Sequence, residues 1–481
     1  MHKDNKKFII HYVISIIIYI IFLLIPPAAP ITELGMNLMG IVVMMIYGLI
    51  FIGPVVPSLT AIILASFTGY FGPGIQASIM AIGSNFVATL VLTLMMFSGV
   101  LTASGLARGM AEKIVYSKLA NGRPWVLTLL IMLAALVPSM FLTALPVVFI
   151  MFSIVNEIAE LVGFKKGDKW PMVMNIMVTF CALIGMTMMP FNVGVAGDFA
   201  ILLSLDPTQV VPTGMFIISS LILAAVMVAI TFIIIRFVIK PDVTLLKNYT
   251  SRHEVRFTTD QKRGIVMLII LIVLVILPDC LPAGSAAKAF FSNFGSGGAA
   301  VLVVLIACII RNKDGTEFLT FEKIAHEGVF WPMLLMIGAL NIICGSLSSD
   351  QVGIVAALQQ VLEPIVGGMS PFAFFVFFVI VCYVLTNILD GAVVAYIAIP
   401  IMYVVSPMVG LTATGMMAVM THNVQSGLAL PSASPSAAIM FGLAKDDYWY
   451  NRKQATKYGC VCALIYLVSM IIVYFPFVKM M

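Results

Sequence analysis

A single carboxylate, Asp390, lies inside a long apolar stretch of the second half of the sequence, between Thr386-Asn387 and the apolar run 391–401. An ionisable group in such a setting is costly in a membrane and is by default a functional hypothesis. Asp390 could bind sodium directly, take up a proton, or cap a helix by accepting its first N–H groups. His422, on the same half, is a candidate partner of Asp390 in a proton relay, or a packed, hydrogen-bonded core residue.

Small hydroxyl and amide side chains accompany the helix-breaking residues of both halves. Each is either a ligand for a cation or substrate, or a polar group that satisfies its own helix. The members of this set are Thr143, Thr187, Asn192, Thr386, Asn387, Ser432, Ser434 and Ser436. Of these, we expect Thr187, Asn192, Thr386, Asn387 and Ser432, together with Asp390, to bind the coupling ion.

The elements that must position these residues are membrane-spanning helices. Of the 481 residues, 62% are hydrophobic and 10% are charged, whereas soluble domains carry about 25% charged residues. Apolar segments of about 20 residues, the length of a helical span, recur from one end of the chain to the other. They lack the alternation of barrel strands. The sequence therefore predicts an all-α polytopic membrane protein with about 11 transmembrane helices plus two re-entrant hairpins, embedded in a lipid bilayer.

The distribution of basic residues predicts the orientation of the chain. With the N-terminus inside, all 26 Lys and Arg residues except Lys288 and Lys479 fall in cytoplasmic segments, as the positive-inside rule requires. This threading works only if segments 125–161 and 371–405 enter the membrane and return. It predicts the cell inner (plasma) membrane, a cytoplasmic N-terminus and an outside C-terminus, and it explains the net charge of +5 without nucleic acid.

The same order of parts occurs twice, with opposite charge on its flanks. Each predicted hairpin follows a glycine-containing segment and precedes an apolar segment with a helix breaker, at 188–194 and 430–436. This is typical of an inverted-topology repeat with discontinuous helices around a midplane site. We predict an N-terminal span and loop (1–35), a first repeat (36–239), a basic cytoplasmic linker (240–263) and a second repeat (264–481).

The sequence motifs of common enzymes are missing. The chain contains no HExxH, Walker A or GxSxG motif, so we predict a protein that is not an enzyme and that draws energy from ion gradients. The seven cysteines lack metal-ligand spacing, and we expect no cofactor and no metal beyond sodium. The glycine cluster 295–298 is interpreted as a turn in an outside loop.

At these motifs the chain resembles the divalent anion:sodium symporter family, of the dicarboxylate, citrate and sulfate transporter type, within the ion transporter superfamily. The matching segments are Ser104-Gly105-Leu106-Ala107-Arg108, Phe330 to Gly338, Thr386 to Leu389, Leu430 to Gly442, and Pro190-Phe191-Asn192.

The resemblance implies a homodimer that moves a transport domain like an elevator, with sodium and a small dianion bound between two hairpin tips. The family has Ser-Asn-Thr at each tip, whereas this chain has Thr143-Ala144-Leu145 and Asp390-Gly391-Ala392. The substrate-binding residues that the resemblance implies are Thr143, Ala144, Leu145, Asp390, Gly391, Ala392, Ser434, Pro435 and Ser436.

The function predicted from the sequence is secondary active transport of a small anion, a di- or tricarboxylate or sulfate, coupled to sodium or protons. One alternative is an antiporter of the same superfamily for a cation, protons or a neutral species, which Asp390 would favour. The other is a membrane scaffold that has lost transport.

Overall fold

The protein is helical throughout the part of the chain that the structure describes. The computed structural model describes residues 2–250, 255–282, 284–347, 349–445 and 447–481, and the side chains of 2–5 and 279 are not described. Within these ranges the chain forms 21 α-helices and no extended strand. The prediction of an all-α membrane protein is confirmed. Arg252, part of the predicted basic linker, lies outside the described residues.

The helices divide into one N-terminal helix and two sets of ten. The first set follows α1 (His2–Leu24) and comprises α2 (Glu33–Phe51), α3 (Val55–Phe67), α4 (Ile75–Gly83), α5 (Phe86–Ala103), α6 (Leu106–Val115), α7 (Pro124–Ser139), α8 (Ala144–Val162), α9 (Lys169–Met186), α10 (Val193–Leu205) and α11 (Thr213–Ile233). The second comprises α12 (Thr259–Cys280), α13 (Ala286–Ile309), α14 (Phe321–Gly328), α15 (Trp331–Leu347), α16 (Ile354–Val366), α17 (Pro371–Ile388), α18 (Gly391–Val405), α19 (Ala413–Gln425), α20 (Pro435–Leu443) and α21 (Arg452–Val478).

The two sets follow the same order of long and short helices. A short helix (α4 or α14) precedes a span, a helical hairpin (α7–α8 or α17–α18) follows, and a broken helix (α9–α10 or α19–α20) leads to a final long helix. The sets begin at Glu33 and Thr259, where the Thr32 and Thr258 side chains cap the first turn. These starts lie a few residues before the predicted boundaries, which remain predictions.

Many of these helices have the length and composition of membrane spans. Among the described residues, ten helices are long and apolar enough to cross a bilayer, or eleven if the bent pair α14–α15 counts as one span. Two of the ten, α8 and α17, are arms of the helical hairpins. The chain is therefore a multi-pass membrane protein.

Helices of each set pack against helices of the other set. Helix α5 packs against α13 and α14, whereas α15 packs against α2, α3 and α4, and the final helices α11 and α21 pack together. Almost every side chain of α9 is buried, and both arms of the first hairpin pack on it, as both arms of the second pack on α19. The hairpins and broken helices thus share one interior.

The glycine cluster 295–298 is not a loop, which corrects the sequence interpretation. These residues lie inside α13, where Gly295 has φ +59° and ψ −175° and the helix is kinked. Glycine adopts this conformation without a steric penalty, so the cluster bends a helix rather than ending it. The sequence does not predict the short helices α3, α4, α6, α14 and α16 as separate elements, because each is shorter than a full span.

Candidate functional site

The first hairpin turns at residues 140–143. Thr143 is the N-cap residue of α8 and has an extended backbone, but its side chain makes no cap hydrogen bond. Ala144 is buried in the first helical turn, whereas Leu145 is 37% exposed. Only one of the three predicted tip residues, Thr143, therefore has a polar side chain to offer.

The second hairpin turns at Leu389 and Asp390. The Asp390 carboxylate accepts a hydrogen bond of 2.9 Å from the backbone N–H of Ala392, so Asp390 is the N-cap residue of α18. Its side chain is half-buried and Gly391 is buried. Capping is one of the three roles considered for Asp390, and the ion-binding and proton-binding roles remain predictions.

The first broken helix is attached to the first hairpin tip by Asn192. The Nδ2 of Asn192 donates to the carbonyl oxygens of Ser139 (3.2 Å) and Leu142 (2.9 Å). Its Oδ1 accepts from the N–H of Gly194 and so caps α10. One buried amide therefore joins the break to the end of α7 and orders the start of α10.

The second broken helix is attached to the second tip by Asn387. The Oδ1 of Asn387 accepts hydrogen bonds from the N–H groups of Leu428 (3.0 Å) and Ala429 (2.9 Å). Ser432 adds a bond from its Oγ to the carbonyl oxygen of Ile388, at 2.7 Å. In the first half the asparagine lies on the break and binds carbonyls of the tip. In the second half it lies on the hairpin and binds N–H groups of the break.

The remaining predicted residues of the second break form the start of α20. Ser434 is the N-cap residue, accepting from the N–H of Ala437 and donating to the carbonyl oxygen of Gly427. Pro435 is the first helical residue and Ser436 is buried in the same turn. Thr386 is buried and its Oγ1 donates to Cys382 in its own helix, so this hydroxyl satisfies a helix carbonyl.

His422 joins α19 to the first broken helix. Its Nδ1 lies 2.8 Å from Oγ1 of Thr187 and its Nε2 lies 3.0 Å from Oγ of Ser220, and the side chain is buried. Thr187 ends α9, so the contact crosses between the two halves. Among the described residues no hydrogen bond connects His422 with Asp390, and a relay between them remains a prediction.

Asp198 is a buried carboxylate that the sequence analysis missed. It lies on α10 and is 4% exposed, and Nε2 of Gln425 donates to its Oδ2 at 3.0 Å. The signal was available, because Asp198 stands in an apolar run just as Asp390 does. The part of the broken helix that carries it, α10 with 13 residues, is shorter than a membrane span and is not identified by hydropathy alone.

A cavity of about 560 Å³ lies beside the first break. Helices α5, α10, α12 and α13 line it, with Pro190 and Phe191 of the break at its wall, and no Lys or Arg is among the described lining residues. Its lining is mostly apolar, with uncharged polar groups such as Thr89, Thr93 and Gln209. Of the predicted site segments, only the first break reaches this cavity.

The hairpin tips and breaks supply four helix N-termini, those of α8, α10, α18 and α20. N-terminal N–H groups carry partial positive charge and suit an anion. Carbonyl oxygens freed at a break suit a cation. None of the predicted site residues is Lys or Arg, so backbone dipoles are the positive element that the site residues offer.

A family model and two solved structures match the chain. The model of the citrate transporter family (CitMHS) matches residues 10–423. The YdaH transporter of Alcanivorax borkumensis is similar at 15% identity, with 83% of this chain and 87% of that chain covered and a TM-score of 0.57. MtrF of Neisseria gonorrhoeae, described as illuminating a class of antimetabolite efflux pumps, is similar at 12% identity, with 97% and 93% covered and a TM-score of 0.56. Comparison with curated proteins gives no match. At these identities the two structures show a shared fold alone.

Proposed function

The chain belongs to the citrate transporter family, and on this premise we propose that it carries a small di- or tricarboxylate across the membrane by secondary active transport. The family resemblance found in the sequence is confirmed by the match over residues 10–423, and the chain is a transporter by family. The class of substrate, the coupling ion and the mechanism are the proposal.

The observation that supports an anionic substrate is the set of four helix starts at the tips and breaks. Thr143, Asn192, Asp390 and Ser434 are their N-cap residues. A carboxylate is stabilised by such N–H groups without a basic side chain. Sulfate would be stabilised in the same way, so a panel of anions is needed to identify the substrate.

The coupling ion in this proposal is sodium or a proton. A cation reduces the electrostatic cost of placing a carboxylate substrate near Asp390, which already occupies the second tip. Thr187, Asn192, Thr386, Asn387 and Ser432 are the candidate cation ligands near the breaks.

The movement in this proposal is of the elevator type. The hairpins and broken helices, α7–α10 and α17–α20, would move as one unit, because Asn192 and Asn387 attach each break to a tip. The remaining helices would form a scaffold, which the family resemblance extends to a homodimer. We place the protein in the cell inner membrane with its N-terminus in the cytoplasm.

Uptake into proteoliposomes tests the proposal. Radiolabelled citrate, dicarboxylates and sulfate are offered under an imposed sodium gradient and, separately, a proton gradient. We expect accumulation of a di- or tricarboxylate. Asn387→Ala should lose this uptake, whereas Asn248→Ala, at an exposed asparagine outside the spans, should retain it. Accumulation of sulfate alone would overturn the carboxylate assignment, and no accumulation under either gradient would favour the scaffold.

A second candidate function is proton-driven antiport. The specific observation in its favour is that Asp390 and Asp198 both lie at or next to the site elements, where they disfavour a dianion by repulsion. Proteoliposomes loaded with substrate distinguish the two directions. Export of the substrate driven by an inward proton gradient would support the antiporter. Accumulation of the substrate inside, with no such export, would exclude it.

A further inference from the structure

The Asp198 carboxylate lies in α10, one helical turn beyond Gly194, which is the second residue of that helix. Residues four apart share one face of a helix, and the side chain of Gln425 from α19 lies over both. Its Nε2 donates to Asp198, and a Cβ on Gly194 would be 2.8 Å from its Oε1. The amide is therefore held between the α10 backbone and the carboxylate, and it belongs to the other half of the chain.

The described surroundings of Asp198 contain no basic side chain. Helices α5, α15, α18 and α19 pack against α10, and none of the five carries Lys or Arg. The titratable groups that these packed helices carry are Tyr396 and Tyr403 of α18, Cys344 of α15 and His422 of α19, while α5 has none. The Asp198 charge therefore has no cationic side chain to balance it among these helices.

Beside Tyr396 lies an unpaired buried acceptor. Nδ2 of Asn341 donates to the Tyr396 hydroxyl at 2.8 Å, but Oδ1 of Asn341 has no hydrogen-bond partner although the residue is 2% exposed. Buried acceptors are usually satisfied. Tyr396 of α18 and Asn341 of α15 thus form a hydrogen-bonded pair on two helices that pack against α10, and neither side chain can carry a positive charge.

A buried carboxylate is neutralised by a bound cation or by a proton, because an unpaired charge is costly in a medium of low polarity. The Gln425 amide suits a proton. Its NH₂ donates to the ionised carboxylate, and after rotation its Oε1 accepts from the protonated form. A metal cation needs several oxygen ligands, whereas the hydrogen-bond partner that the structure shows for Asp198 is the Gln425 NH₂, which occupies Oδ2. The geometry therefore favours a proton over sodium.

We propose that Asp198 is the proton-binding group of the transport cycle and that Gln425 is the positioning residue that holds both of its forms. The proton enters from water on one side, binds a carboxylate oxygen of Asp198, and leaves to water on the other side. This inference rests on the proposed function, since it assigns the residues that bind the coupling ion in that transport cycle.

The position of Asp198 provides a mechanism of coupling. Its charge lies about one turn below the N-terminus of α10, where it opposes an anion bound to those N–H groups. Protonation removes this repulsion, so a proton and an anion bind together better than either binds alone. By linkage the effect is reciprocal, and the result is symport.

The test compares wild type with Asp198→Asn in proteoliposomes, using radiolabelled citrate. Asp198→Asn should abolish proton-driven accumulation, which for one net proton is about tenfold per unit of pH difference. It should retain exchange of labelled for unlabelled citrate, now independent of pH. Asp198→Glu should restore part of the pH dependence. Asp206→Asn, at a half-buried carboxylate in the loop after α10, is the matched control and should accumulate citrate with the pH dependence of wild type.

A second measurement does not depend on the substrate. The infrared carbonyl stretch of a protonated buried carboxyl should disappear as the pH of the purified protein is raised, and Asp198→Asn should lack it. If that band persists in Asp198→Asn, or if this variant retains proton-driven accumulation, the proposal is overturned. It is equally overturned if Asp198→Asn abolishes a sodium-driven, pH-independent uptake.

The two proposals fail in different ways. A wild type that shows the titrating band but no movement of any carboxylate would contradict the proposed function and leave Asp198 as a proton site. A wild type that accumulates citrate without such a band would support the function and overturn the assignment of Asp198.

Discussion

Gly391 lies so close to the carbonyl oxygen of Val424 that a side chain at position 391 would overlap it. The first residue of α18 thereby contacts the end of α19 backbone to backbone. Close approach of this kind requires glycine. The contact holds the second hairpin tip against the break that the proposed substrate site uses.

Gly391→Ala should therefore lower the stability of the folded protein, since either the hairpin tip or the end of α19 must shift. We expect a lower thermal unfolding temperature in detergent and a loss of uptake of at least tenfold. Gly345→Ala is the matched control, because no atom lies within 4 Å of a Cβ built at that helical position. There, alanine should be neutral or slightly stabilising. Equal behaviour of the two variants would contradict the prediction.

Asn192→Asp and Asn387→Asp should differ in effect, although the chemical change is identical. Aspartate at 387 keeps the oxygen that accepts from Leu428 and Ala429, and loses one bond to its own helix. Aspartate at 192 replaces the donor facing two carbonyl oxygens with a carboxylate. An unsatisfied buried group costs about 1–3 kcal/mol, so Asn192→Asp should be the less stable variant and the poorer transporter in the proteoliposome assay. The reverse order would mean that the two amides do not attach breaks to tips in this way.

Two substitutions of Asp390 distinguish its role as the N-cap residue of α18 from the role of its negative charge. Asparagine caps as well as aspartate, whereas alanine costs about 1 kcal/mol. We expect Asp390→Asn to keep the unfolding temperature and the pH dependence of uptake, and Asp390→Ala to lower the unfolding temperature. Loss of pH dependence in Asp390→Asn would transfer the proton-binding role from Asp198 to Asp390.

His422→Gln tests the predicted relay. Glutamine can donate and accept hydrogen bonds with Thr187 and Ser220 but does not titrate. Because His422 contacts these two hydroxyls, we expect His422→Gln to retain the pH dependence of uptake. His422→Ala should be destabilised, since it leaves a cavity and unpaired hydroxyls. If uptake by His422→Gln no longer responds to pH, the result would support the predicted proton relay through His422.

The hydrogen bonds of Asp206 should make the stability of the folded protein depend on pH in the acidic range. It lies in the loop after α10, where hydrogen bonds from the Thr208 hydroxyl and N–H lower the pKa of its carboxyl below the ordinary 3.8. Tyr403 of α18 also donates to it at 3.2 Å. A lowered folded-state pKa stabilises the protein above the unfolded pKa, and the benefit disappears as the pH falls through the folded value.

Wild type should therefore be slightly more stable than Asp206→Asn at neutral pH, and the difference should shrink below about pH 4. Thermal unfolding in detergent across this range measures it. A difference that grows on acidification would contradict the assigned hydrogen bonds.

The spans and the order of the breaks could be predicted from sequence because each depends on local features. Long apolar runs identify helices, and Pro190 and Pro431 mark interruptions. The hydrogen bonds of Asn192 with Ser139 and of Asn387 with Leu428 could not be predicted in the same way. These contacts join residues 53 and 41 positions apart, and only the packing of the helices brings them together.

Two errors have a common physical origin. The glycines at 295–298 predict a turn from the local sequence, yet the chain resumes a helix on the far side of the kink. Asp198 lies in a helix of 13 residues, which is too short to be recognised by hydropathy alone. In both places tertiary contacts decide a structure for which the local sequence is ambiguous.

The exchange of neighbours between the two sets of helices has a consequence for how the protein is made. Helix α5 finds its partners α13 and α14 only after the second half has been synthesised, and α15 completes the packing of α2 to α4. The early spans therefore enter the membrane before the second half of the chain has been translated, and they assemble with their final neighbours only afterwards. A gene cut between the halves would yield an active carrier only when both polypeptides are produced in the same cell and meet in the same bilayer.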